Sequence, residues 1–444
     1  MKKIALLLAS ALLCAGIFLA GCSHPAPRAS NASLPAASVF QVEGAQLIEP
    51  AWGQLDPEAA AVARGANDFA FRLSAVLVQG IGNENFVVSP YSVWMPLAAL
   101  ANATREAHMP ALLEALGAGG IGAGDLNRAA SRMLFDLTNE RARRHGWGEG
   151  LEESPLRIAN AIFVDRRFTL RREFAQTFMD FYRGEVMSLD FLSPDAVAAV
   201  NQWASDNTDG LIEEVVRGFD PNTAAAIANA IYFSDGWLHE FNPRATERDV
   251  FFSPAGESFA YFMRLERRDF SYFEDARVQA VDLPFVGGGG MTIVLPRDGN
   301  ATGFLAGMTG AEFERMQRAS VLAQGLLLLP RFSIENTLDG LKGALVALGV
   351  PLFDERAAPL TGGLIEEGLP VWLSDAVQVA MIEVDEEGTT AAAVTVMMAQ
   401  AAGMPPPPEV TFEMICNRPF AFILHRPTHD GGRQVLFTGV VNRP

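Results

Sequence analysis

Cysteine is almost missing from this chain. Its 444 residues hold only Cys14, Cys22 and Cys416, too few for a disulfide framework and too far apart for a paired-cysteine metal site. Cys416, set among apolar residues in FEMICNRPF, reads as a core thiol rather than a nucleophile. The six histidines are scattered, and no pair has metal-ligand spacing. No metal and no cofactor are therefore expected. No HExxH, P-loop, nucleophile-elbow or EF-hand pattern occurs, so a hydrolase would lack its catalytic constellation and the chain does not read as an enzyme. Four consecutive glycines, Gly287 to Gly290, lie between strand-like runs with no helix after them to face a phosphate. They read as a hairpin turn.

Basic charge is also scarce. With 34 Lys and Arg against 52 Asp and Glu, the net charge is −18, which argues against a nucleic-acid partner. The densest basic run, Glu140 to Gly150, carries its own acids and reads as a solvated loop. The stretch NATREAHMPALLEALGAGG is nearly neutral and offers no basic face for a polyanion. Apolar residues, by contrast, make up 49% of the chain, ample for a large core. The length allows about three domains or one large β-rich domain. One segment stands out. From Thr389 to Gly403 there is no charge and nothing bulkier than Met, between the acids Asp385 to Glu387 and the prolines Pro405 to Pro408. A disordered linker would use Ser, Pro and charge, and a core helix would alternate apolar with polar residues.

The N-terminus has the layout of an export signal: Lys2 and Lys3, an apolar run from Ile4 to Leu19, then Ala20 and Gly21. The box LAGC, Leu19 to Cys22, resembles that of bacterial lipoproteins, which implies lipidation of Cys22. Ser23 after it resembles the residues that permit export to the outer membrane. The expectation is a signal at 1–22, a flexible Pro-, Ala- and Ser-rich tether at 23–55, and a single domain at 56–444. The membrane is then a partner through a lipid anchor, on either the periplasmic face or the cell surface. Asp56 to Gln79 repeats apolar residues at helical spacing, whereas AIANAIYF, VQAVDLPF, MTIVLP and GLLLLPRFSIE read as strands. RPFAFILHRP and QVLFTGVVNRP flank THDGG and read as a hairpin. Helices early and strands late predict an α+β class.

Several separated blocks, in order, resemble the serpin family. They are NFVVSPYSVWMPLAAL, IANAIFVDRRFTLRREFAQTFMDFYRGEVMSLDF, VNQWASDNTDGLI and NAIYFSDGWLHEF, then LPRFSIE, LGVPLFD, IEVDEEGTTAAAVT and the terminal NRPFAFIL…LFTGVVNRP. NAIYFSDGW is similar to the family's N-A-I-Y-F-K-G-x-W signature. The resemblance spans Asp56 to Pro444. It implies the serpin fold, helices around three β-sheets with an exposed C-terminal reactive-centre loop. It also implies inhibition of serine proteases by a suicide substrate whose cleaved loop inserts into the central sheet. The small, uncharged segment suits that role, because a strand buried on both faces cannot carry charge and must slip between neighbours.

The resemblance also places residues. The hinge is Glu386, Glu387, Gly388, Thr389, Thr390, Ala391, Ala392 and Ala393. Counting from the hinge puts the reactive bond at Ala402–Gly403; counting back from PPEV puts it at Met404–Pro405. Ala402 suits elastase-like proteases, with cysteine proteases as further candidates. Ser89, Ser92 and Asn229 fall in the cluster that opens and shuts the sheet. Gln378 stands where the family usually has His, which removes a titrating group there. Arg331 is expected opposite Glu386 as a bidentate partner, with Trp237 packed where the strand enters. The protein is expected to be a monomer. The alternative is a non-inhibitory serpin-fold binding or scaffold protein of the cell envelope.

Overall fold

The structure, a computed structural model, describes residues 38–39, 56–138, 156–338, 340–389, 411–428 and 430–444. These belong to one compact unit running from Ala37 to Pro444. Its helices are α1 (Pro57–Val78), α2 (Pro90–Leu100), α3 (Met109–Ala115), α4 (Ala123–Thr138), α5 (Arg172–Tyr182), α6 (Pro194–Asn207), α7 (Ala301–Ala306), α8 (Gly310–Ala319) and α9 (Leu341–Ala347). The strands up to mid-chain are β1 (Ser38–Val39), β2 (Phe86–Val88), β3 (Leu156–Asp165), β4 (Gly184–Leu189), β5 (Ala225–Phe233), β6 (Asp235–Gly236), β7 (Glu247–Ser253) and β8 (Gly256–Glu274). Those after it are β9 (Val278–Pro284), β10 (Gly290–Pro296), β11 (Val321–Pro330), β12 (Phe332–Thr337), β13 (Val379–Val384), β14 (Gly388–Thr389), β15 (Thr411–Ile415), β16 (Phe420–Pro427) and β17 (Arg433–Val441).

Helices and strands interleave more than the sequence pattern suggests. β3 and β4 come early, and α7 to α9 come late. The class is still α+β. In addition, Ser38–Val39, inside the stretch expected to be a tether, pair with the edge of β4. The tether reading does not hold at those two residues.

Three sheets organise the domain. A nine-strand sheet runs β15-β11-β8-β9-β10-β16-β17-β2, with β7 added to β8. A second runs β1-β4-β3-β5, and a third β12-β13-β14-β6. The four-glycine turn joins β9 to β10; Gly288 and Gly289 take φ of 89° and 83°, a left-handed conformation that favours glycine. β16 and β17 form the expected antiparallel hairpin.

Helix α2 packs against β5 of the second sheet and β17 of the nine-strand sheet. Ser89 caps it by accepting from the Ser92 amide, Pro90 opens it, and its apolar residues are buried nearly all round. A helix apolar on every side belongs in a core. Asp56 caps α1 in the same way, through the amides of Glu58 and Ala59.

Candidate functional site

β5 ends the second sheet, and β13 pairs with β12 on one side only below Val384. Among the described residues no ladder joins β5 to β13. Between them lies a slot of about 1400 Å³, lined by β5 from Ala225 to Phe233 and by the chain from Leu369 to Glu383. Strand AIANAIYF is strongly apolar, yet Ile227 and Ile231 are only half-buried. Val377 across the slot is 46% exposed. Open strand edges invite another strand, and here the opening is inside the molecule.

At the upper end the chain has already turned into the slot. The Asp385 side chain accepts from the amides of Glu387 (2.9 Å) and Gly388 (3.1 Å). That local turn sends Gly388–Thr389 back along β13, with Val384 opposite Thr389, and along β6, with Gly236 opposite Gly388. A Cβ on Gly388 would meet the Asp235 carbonyl at 2.2 Å. The glycine is needed there for close approach rather than for the pivoting freedom its place in a hinge suggests. Trp237 fastens the turn: its indole donates to the Asp385 carbonyl (2.9 Å), its amide to that of Glu387 (2.8 Å), and its ring stacks on Phe285.

Glu386 is 4% exposed and opposite Arg331, as expected. The guanidinium does not fork across both oxygens, however. Nε (2.9 Å) and Nη2 (2.6 Å) both donate to Oε1, which also accepts from the Thr246 hydroxyl. Burial works to raise this carboxyl, but the Arg331 and Thr246 bonds outweigh it and hold it below its ordinary value.

Halfway down the slot a polar belt crosses it. On one side the Gln378 carboxamide accepts from the Ser89 amide (3.0 Å) and donates to the Ser89 carbonyl (2.9 Å). An amide side chain can give and take in this way at once. The Ser89 hydroxyl donates to the Leu436 carbonyl. On the other side the Ser92 hydroxyl donates to Asn229, which donates to Asn160 (2.7 Å), which donates to the Tyr182 carbonyl (2.8 Å). Ser89, Ser92, Asn229 and Gln378 thus converge on the first turn of α2. Gln378 and Asn229 belong to opposite walls of the slot. Asn160 was missed by sequence reasoning; an Asn inside an apolar strand, RIANAIF, was its signal.

The sequence model of the serpin family, described as serine protease inhibitor, matches residues 64–444. The chain belongs to the serpin family. It is 30% identical over 385 residues to Antichymotrypsin-2 of Bombyx mori, covering 85% of this chain and 96% of that one. It is 26% identical over 325 residues to the corticosteroid-binding globulin of Oryctolagus cuniculus, covering 72% and 82%. Among solved structures it is similar to the thermophilic serpin tengpin in the native state, with a TM-score of 0.75 at 23% identity over 90% of this chain and 97% of that one. That last likeness carries the fold alone.

The serpin fold is therefore the architecture of this domain, and serpins as a family inhibit proteases rather than act as enzymes. Thr390, Ala391, Ala392, Ala393, Ala402, Gly403, Met404 and Pro405 lie outside the described residues, as does Cys22. Cys416 is fully buried and its thiol is pushed up by burial, which suits a core residue and not a nucleophile.

Proposed function

We propose that this serpin inhibits serine proteases as a suicide substrate, and that the slot between β5 and β13 receives the cleaved loop. The observation that carries this reading is the hinge turn, which aims Gly388–Thr389 into an open, apolar, strand-edged slot. Continuing the two observed pairings one residue at a time gives the inserted register. Thr395 would then lie between Gln378 and Asn229, the two sides of the polar belt. Ala391, Ala393 and Val394 would lie beside Phe233, Ile231 and Ala230. The hydroxyl reaches the polar belt and the small apolar residues reach the apolar wall. In the same register Ala402 falls opposite Asn222 and Val371, both of which line the slot.

The driving force is a new central strand. Roughly a dozen added backbone hydrogen bonds at about 1 kcal/mol net each, with apolar burial at roughly 25 cal/mol per Å², outweigh the ordering of one loop. A protease held as an acyl-enzyme would be carried along. Distortion of its oxyanion hole would then slow deacylation. Ala402–Gly403 is preferred to Met404–Pro405 because a Pro after the bond would resist most serine proteases, and the small side chain of Ala402 would suit an elastase-like pocket. The lipid anchor at Cys22 would hold the domain at the bacterial envelope.

The test mixes the purified chain with pancreatic and neutrophil elastases on a denaturing gel. A band at the summed mass that survives boiling is the expected result, with release of a peptide beginning at Gly403. Cleavage at that bond without a complex would overturn inhibition and favour a binding role, the direction in which the similarity to a corticosteroid-binding globulin points. For the anchor, fatty-acid label should enter the wild type and be lost in Cys22→Ala; label retained in that variant would sink the assignment.

A further inference from the structure

Past the loop, the chain re-enters the described fold at β15, and this strand is lightly held. Among the described residues it pairs with β11 alone, in parallel, from Thr411 to Ile415. Thr411 and Glu413 are exposed. Pro405 to Pro408 offer no amides to lengthen the ladder upstream, and Val321 and Leu322, which start β11, are exposed. One side chain stands out. Phe412 lies opposite Gly325, and a Cβ on that glycine would overlap the Phe412 ring. The ring stacks on the buried Tyr272 (centroids 4.0 Å apart, planes 4° apart) and meets the buried Phe270 edge-on (5.2 Å, 70°). Gln279 donates to the Tyr272 hydroxyl (2.9 Å) and to the Glu413 carbonyl (3.2 Å), tying β9 to the same spot. Farther along, Met414 and Cys416 are wholly buried, and the Cys416 amide donates to the Leu328 carbonyl (2.9 Å). Phe412 is therefore the first side chain to grip as the chain comes out of the loop.

We propose that Phe412 is a positioning residue for inhibition: its ring, seated on Gly325, keeps β15 on β11 and thereby keeps the uncleaved loop out of the slot. This rests on the insertion reading above. Chain length carries the argument. At strand spacing, the residues from Thr390 to Ala402 would run about 43 Å down the slot. Gly403 to Val410 would then have to return from that depth to Thr411, and they reach at most about 29 Å. β15 belongs to the hinge end, because its partner β11 runs on into Arg331, which holds Glu386. With the bond intact, the loop fills the slot only if β15 comes away from β11. With the bond cut, the loop is free to enter and β15 stays where it is. Losing the grip of Phe412 would thus let insertion happen before a protease is caught.

The experiment incubates the full chain in detergent at mild temperature. It measures the rate of conversion to a heat-resistant form whose chain is still uncut on a denaturing gel. Phe412→Ala should convert roughly tenfold faster than the wild type, given the loss of two aromatic contacts. Gly325→Ala, which displaces the ring but leaves it in the chain, should do the same and serves if Phe412→Ala fails to fold. Phe412→Tyr keeps the ring and should convert at the wild-type rate. A contact that was structural only would lower the thermal midpoint and yield no heat-resistant product. That outcome, or a wild-type rate in both ring-displacing variants, would overturn the proposal while leaving insertion standing. If cleaving the wild-type loop brings no gain in heat resistance, the insertion reading falls and this proposal with it.

Discussion

The β10-β16-β17 region and the slot between β5 and β13 are made from the same kinds of residue and end in opposite states. In the first, every strand has its neighbours, and Phe422, Ile423 and Leu424 are wholly buried. The buried carboxylate of Asp282, on the adjoining β9, is answered from this region: it accepts from Arg433 (2.7 Å) and pairs with His425 (2.9 Å). Burial alone would raise that carboxyl, but His425 and Arg433 hold it well below the usual carboxylate range. In the second region, β5 has no strand on its outer edge among the described residues, and its isoleucines stay half-buried. The difference teaches where the fold leaves room for one more strand: on the proposed reading, free energy is kept in a pairing that cleavage of the loop would allow.

Substituting in the finished region should have the largest effect. A Cβ at Gly439 would meet the Phe422 ring at 2.2 Å and the Phe86 carbonyl at 2.5 Å. Gly439→Val should therefore cost about 3 kcal/mol or more, read as a lower thermal midpoint or as failure to fold. A midpoint within a degree of the wild type would mean that the region is less tightly packed than it looks.

Next comes Thr395→Arg, which aims a charge at the polar belt of the unfilled slot. Because the slot is open before cleavage, the midpoint of the intact protein should be unchanged. Trapping should be lost, with the loop cut at the same bond and the protease released. An undiminished covalent complex would break the register drawn from Thr389.

The Glu386–Arg331 pair, at the top of the slot, offers the next test. Glu386→Lys should place like charges together, loosen the hinge and promote loop-to-sheet polymers on mild heating, seen as ladders on a native gel. A variant that stays monomeric counts against that role. Since the folded carboxyl titrates below its ordinary value, the stability it contributes is present above that value and lost as pH falls through the folded pKa. Acid should thus loosen the hinge turn in the wild type, monitored by Trp237 fluorescence. The contribution is modest, about 1–2 kcal/mol, because Arg331 is half-exposed.

The smallest effect sharpens the contrast most. Ile231→Ala should cost under about 1 kcal/mol in the intact protein, where the side chain is half-buried. After loop cleavage it should cost about 2 kcal/mol or more, as for a buried isoleucine. Equal losses in both forms would mean that no strand comes to cover it.

Local rules determined much of this protein from its sequence. The caps at Asp56 and Ser89, the glycine turn before β10 and the β16–β17 hairpin follow from neighbouring residues alone. The ordered blocks from NFVVSP to GVVNRP carry the family. The pairing of Arg331 with Glu386, 55 positions apart, was reachable only through that resemblance. Other features were settled by tertiary contact. Asn160 joins the polar belt because parallel pairing of β3 with β4 brings its strand over Tyr182. Asp235 and Arg426, 191 positions apart, meet only because β6 crosses the turn before β10. Above all, nothing local distinguishes AIANAIYF from any core strand. That it stands at an open edge is decided by which strands pair, a long-range competition that no short stretch of sequence records.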